Sequence, residues 1–219
     1  MKILLSVIIL STIIVYSPIV KDEAIWIDDF ESMGLEGWHG RSSDFHNIYN
    51  IDSLSDTSFL SASSLGSDNF IIKKVKVDLV EYPYLNWKWR AKTLPLNGDE
   101  SQKSTCDIAA SVIVVLRASK WRPRSIKYTW STTLPKSTIC KSPFAIWPSR
   151  TDIIVMQSGD EKLNEWTSEK VNVLDHYKTF YNKKNVKSKK VEAFVIMTDS
   201  DNTKSLSEAD YDDIFFSKN

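Results

Sequence analysis

Cysteine and histidine are scarce in this chain, no charge of one sign predominates, and beyond the first two dozen residues no long hydrophobic run occurs. Each shortage closes off some chemistry. Only His39, His46 and His176 are present, without metal-ligand spacing, so a histidine-based metal centre and a Cys–His nucleophile are both disfavoured. No nucleophile elbow and no glycine-rich phosphate loop occur, so no catalytic residue is assigned. With 28 basic against 28 acidic side chains the formal charge is zero, which gives no field for a nucleic acid or an acidic membrane surface. The one basic cluster, Lys183, Lys184, Lys187, Lys189 and Lys190, is broken by Asn and Ser and reads as a solvated loop.

What is present begins at the start. Lys2 precedes an almost unbroken apolar stretch from Ile3 to Val20, which ends against Lys21, Asp22 and Glu23. That is the layout of an export signal. A buried first helix is the alternative, but the stretch is rich in β-branched residues and has no amphipathic face. Residues 1–24 are therefore expected to direct export to the periplasm or beyond. They are either cut at Ala24 or kept as an inner-membrane anchor, the protein's one expected contact with a membrane. No cysteine closes the stretch, so a lipid-anchored form is disfavoured. Export leads into an oxidising compartment, where Cys106 and Cys140 could form one disulfide or remain separate thiols.

Residues 25–219 read as a single domain. Short β-branched or aromatic runs closed by Gly, Pro, Asn, Asp or Ser recur along it, predicting an all-β, jelly-roll-like antiparallel β-sandwich with one short helix. Strands are expected at Ile25 to Phe30, Ile48 to Ile51, Phe59 to Ala62, Asn69 to Val77, Tyr84 to Lys92, Ile108 to Leu116, Ser125 to Ser131, Thr151 to Gln157, Val191 to Thr198 and Asp210 to Phe216. Within Tyr84 to Lys92, Leu85, Trp87 and Trp89 point one way and Asn86, Lys88 and Arg90 the other. Ile108 to Leu116 is apolar on both parities and should be a central strand covered on both faces. The helix is expected at Val173 to Asn182, where Val173, Tyr177 and Tyr181 recur every four residues.

Several segments together resemble a bacterial family catalogued as domain of unknown function 3047. They are Ile27-Asp28-Asp29-Phe30-Glu31 with Gly37-Trp38, Leu85-Asn86-Trp87-Lys88-Trp89-Arg90, Asp107-Ile108-Ala109-Ala110, Val112 to Leu116, Tyr128-Thr129-Trp130 and Ser158-Gly159. Met197-Thr198-Asp199-Ser200-Asp201-Asn202-Thr203 and Tyr211-Asp212-Asp213-Ile214 complete the likeness. It implies an exported jelly-roll-like sandwich without an established activity, similar in outline to carbohydrate-binding sandwiches. The chain departs from the family's Ala-Arg-Val at Ala110-Ser111-Val112.

The candidate site residues are acidic and aromatic. Asp199, Asp201, Asn202 and Thr203 follow an apolar strand, and oxygen side chains so dense at a strand end suit sugar hydroxyls or a hard cation such as calcium. The competing reading is an Asx turn, in which they cap their own backbone. Arg90, Asp107 and Trp130 join them as expected ligand contacts, in an open groove carrying one or more Trp. A second acidic set, Asp29 and Glu31 from the first strand with Asp213 from the last, would hold a structural calcium or merely protect a sheet edge. Of the eight Trp, Trp87 and Trp89 belong in the core, whereas Trp121, Trp130, Trp147 and Trp166 lie in or beside polar loops where a sugar ring could stack. Arg117, Arg122, Arg124 and Arg150 lie near them.

The pattern points to a non-catalytic module binding a glycan or another envelope component. Two rivals stand beside it: a glycoside hydrolase using Asp107, Asp199 or Asp201 with Asp213, and a structural or interaction module of the envelope.

Overall fold

A computed structural model describes residues 24–32, 34–116, 124–145 and 149–219. The targeting segment, and with it the question of export or anchoring, lies outside them, as do Arg117, Trp121, Arg122 and Trp147.

Thirteen strands and one α-helix make up the described fold: β1 Ile25–Asp28, β2 Trp38–Gly40, β3 Tyr49–Leu54, β4 Thr57–Leu65, β5 Phe70–Asp78, β6 Tyr84–Thr93 and β7 Ile108–Leu116, then β8 Arg124–Ser131, β9 Ile139–Lys141, β10 Arg150–Ser158, β11 Thr167–Asn172, α1 Val173–Phe180, β12 Lys190–Asp199 and β13 Leu206–Ser217. They form two sheets. The six-stranded sheet runs β11-β6-β13-β4-β3, with β1 also on β13, and the seven-stranded sheet runs β2-β5-β12-β7-β8-β10-β9. Pairing is antiparallel except at β8–β10, which is parallel because the chain passes through the short β9 before β10 returns beside β8.

Alternation places the apolar residues between the sheets. Trp87 and Trp89 of β6 are buried as expected, with ring centroids 5.3 Å apart and nearly perpendicular. Trp87 meets Tyr128 of β8 at 5.5 Å, and Trp89 meets Trp130 at 6.1 Å, so an aromatic layer joins the two sheets. The edge-to-face pairs among them, Trp87–Trp89 and Trp89–Trp130, add about 1 kcal/mol each beyond the area they bury.

The elements end where local chemistry intervenes. β1 stops at Asp28 rather than Phe30, because the Asp28 carboxylate accepts the Phe30 N–H at 3.0 Å and Phe30 turns to a positive φ of 54°. The helix starts where Asn172 caps it, accepting the Asp175 N–H at 3.0 Å, and stops at Phe180, two residues short of the expected end. His176 on this helix is half-buried. Its Nδ1 lies 3.0 Å from the Tyr128 hydroxyl, and burial pushes its pKa down.

β7 is covered on both faces as expected from Ile108 to Val112, and on one face only beyond that. Val112 and Val114 point into the core, while Ile113 and Val115 are half-buried and look outward.

Candidate functional site

The outward face of the seven-stranded sheet forms a groove of about 630 Å³. Its floor is the alternate parity of three adjacent strands: Phe70 and Ile72 of β5, Met197 and Val195 of β12, Ile113 and Val115 of β7. Register aligns them in rows, with Val195 opposite Ile72 on one side and Ile113 on the other. Lys127 and Ser125 of β8 continue the rows opposite Ile113 and Val115. Ser142, Phe144 and Thr151 line one flank, and the ion-paired Arg41 and Asp68 the other. Phe144 is 47% exposed, an aromatic ring offered at the rim.

One end of this groove is acidic. Asp199 ends β12, Asp201 follows in the turn, and Asp107 precedes β7, the strand beside β12. One carboxylate oxygen from each lies within 4.8 Å of the others. Asp107 is fully buried and organises the turn: its Oδ1 accepts the Asn202 N–H at 3.0 Å and its Oδ2 the Thr203 N–H at 2.5 Å. The Asx-turn reading is thus half right, since the turn is capped by a carboxylate, but by that of Asp107 from the segment preceding β7. Asp199 is 4% exposed, and its Oδ1, like the Oδ1 of Asn202, is buried without a hydrogen-bond partner. Burial pushes the Asp199 pKa well above the usual carboxylate range, and repulsion from Asp107 and Asp201 adds to this, against the attraction of Lys127. Asp201 is raised by burial and by the charges of Asp107 and Asp68.

Lys127 was not singled out by sequence reasoning. It is 7% exposed, its Nζ lies 3.8 Å from the Met197 sulfur, and its charge acts on Asp199, Glu100 and Cys106. A lysine inside an otherwise well-buried central strand was the available signal, because such a charge is rarely buried without an acidic neighbourhood.

Of the expected ligand contacts, Asp107, Asp199, Asp201 and Asn202 come together here. Thr203 supplies its backbone, while its hydroxyl meets Ser205 at 2.7 Å. Arg90 is elsewhere. It sits on the six-stranded sheet, with Nε 2.6 Å from Asp210 and its guanidinium over Phe59 and Trp166 at 5.2 and 5.0 Å. Trp130 is 1% exposed and belongs to the core; its indole N–H donates to the Gly159 carbonyl at 3.1 Å. No Trp lines the groove among the described residues. Arg124 and Arg150 stack instead on Tyr181, at 5.0 and 5.1 Å, beside a separate cavity under α1.

The second acidic set does not assemble. Asp213 pairs with Lys88 at 2.6 Å, Asp29 accepts the Glu31 N–H, and Glu31 reaches the Ser58 N–H at 3.4 Å. Among the described residues, only Asp107, Asp199 and Asp201 bring three carboxylates close enough to share an ion. The two cysteines form no bridge. Cys106 is buried with its thiol directed at the Glu100 carbonyl, 3.6 Å away, and Cys140 sits on β9. Burial pushes their thiols up to about 12 and about 11, so both are held protonated.

These features define a two-sheet β-sandwich with an open groove on one outer face. The chain belongs to the family described as protein of unknown function DUF3047, whose model matches residues 36–215. No curated protein matches the sequence. Among solved structures, similar chains include the native family 12 xyloglucanase from Bacillus licheniformis, at 11% identity over 88% of this chain and 90% of that one, TM-score 0.48. The xyloglucanase domain of NopAA, a type three effector from Sinorhizobium fredii, in complex with cellobiose, matches at 11% identity over 85% and 100%, TM-score 0.44. Endoglucanase 3 of Trichoderma harzianum, from family GH12, matches at 10% identity over 84% and 91%, TM-score 0.43.

Proposed function

We propose that this domain is an exported, non-catalytic binding module that takes a glycan in the groove of the seven-stranded sheet. One observation carries the reading: an open trough whose floor is apolar and whose ends and flanks carry hydroxyl, carboxylate and cationic groups. A sugar chain has the matching chemistry, with apolar C–H faces on its rings and hydroxyls at their edges. The carboxylates cluster at one end, whereas glycoside hydrolysis needs two flanking one bond about 5 to 10 Å apart. Asp107, moreover, is occupied by two backbone donors.

The test is a screen of the purified protein against envelope and plant polysaccharides, with Val115→Arg as the control that fills the groove floor. Binding by the parent and loss in Val115→Arg supports the reading; no binding to any glycan rejects it and leaves an envelope interaction module. A second reading rests on Asp199, a buried carboxyl with a raised pKa beside a carboxylate, the pairing a general acid requires. Release of reducing ends from a bound polysaccharide, lost in Asp199→Asn, would establish a hydrolase instead.

A further inference from the structure

We propose that Asp107, Asp199 and Asp201 bind a hard divalent cation, calcium, at the acidic end of the groove. Three oxygens within 4.8 Å of one another can be shared by one ion at a distance of about 2.3 to 2.6 Å from each, the range calcium takes. Two further facts point to a missing positive partner. The Oδ1 atoms of Asp199 and Asn202 are both buried with nothing to accept from, and an orphaned buried acceptor costs about 1 to 3 kcal/mol unless something fills it. Charge agrees as well: Asp107 and Asp201 repel the Asp199 carboxylate, and a cation bound among the three would relieve that repulsion.

The site is built before the ion arrives. The Asn202 and Thr203 N–H groups hold Asp107 in place, while the Ser200 N–H donates to the Ser67 carbonyl at 3.0 Å and the Ser200 Oγ accepts the Gly66 N–H at 2.8 Å, pinning the turn that carries Asp201. All donors are oxygens, which suits a hard ion and not zinc or copper. A protein-supplied set of three carboxylates suits calcium better than magnesium, which usually keeps most of its water. This proposal stands whether or not a glycan occupies the groove.

The experiment is calorimetric titration of the metal-free protein with calcium chloride, repeated with Asp201→Asn. Asp201 is half-buried in a turn, so its replacement leaves the fold intact, which the thermal transition of the metal-free variant checks. One site is expected, with a Kd of about 10⁻⁵ to 10⁻³ M, accompanied by a rise in Tm and weakened at least tenfold in the variant. Absence of binding up to about 10 mM calcium, or full affinity in Asp201→Asn, overturns the proposal.

Discussion

Asp212, next to the strained Asp213 with its φ of 48°, has a carboxyl pushed up to about 6, first by burial and then by the charges of Asp213 and Glu31. Lys88 and the Asp213 N–H oppose the shift. The folded state therefore holds this proton more tightly than the unfolded chain, whose carboxyl has the ordinary value of 3.8. Stability contributed here is full below pH 4 and falls as the pH rises through about 6, by on the order of 2 kcal/mol. Asp212→Asn should match the parent in acid, exceed it at neutral pH and flatten the pH dependence of chemical denaturation; an unchanged profile would contradict the burial argument. Arg90 provides a second case. It was expected to touch ligand; its outward parity on β6 is right, but the face belongs to the other sheet. Its partner Asp210 is wholly buried and is held by Arg90 at 2.6 Å and Lys92 at 2.8 Å. Arg90→Ala should lower unfolding free energy by about 2 kcal/mol while leaving ligand and calcium affinity as they were.

Among the elements, the turn at Gly98 decides how the acidic end is held. A β-carbon there would lie 2.8 Å from the Asp107 carbonyl and 3.0 Å from the Thr132 hydroxyl. The turn is locked on the other side, where the Thr133 hydroxyl donates to the Gly98 carbonyl at 2.7 Å. Gly98→Ala must displace either the turn or Asp107, and should cost about 1 to 3 kcal/mol by denaturation and weaken calcium binding. Retained stability and affinity would show that the turn yields freely. Element positions were legible from the sequence where alternation was strong, as in β6, or where the run was continuously apolar, as in β12. Short edge strands such as β2 and β9, at three residues each, were not, since so few positions hold no periodicity to read. β11 was missed for another reason: its Thr-Ser-Glu-Lys start carries polar residues on both parities, and only pairing with β6 makes it a strand.

Taken as a whole, the molecule has no net charge to draw a polyanion. A glycan bound mainly by the apolar floor should hold its affinity across a broad range of salt, measured by titration at low and high ionic strength; a steep loss would point to an anionic ligand instead. Export belongs at this scale too. A reporter carrying residues 1–24 should leave the cytoplasm, with the mass of the product distinguishing a cut at Ala24 from a retained anchor. The sequence by itself determined the sandwich, the buried Trp87 and Trp89, and the clustering of Asp199, Asp201 and Asn202, because alternation and turn chemistry act between residues close in the chain. Only the tertiary structure decided that Asp107 joins them, that Lys127 faces them, and that Arg90, Trp130 and the Asp29, Glu31 and Asp213 set do not. Those outcomes depend on which strands are neighbours and which sheet each joins, and the pairing of β7 with β12, far apart in the chain, has no local signature to read.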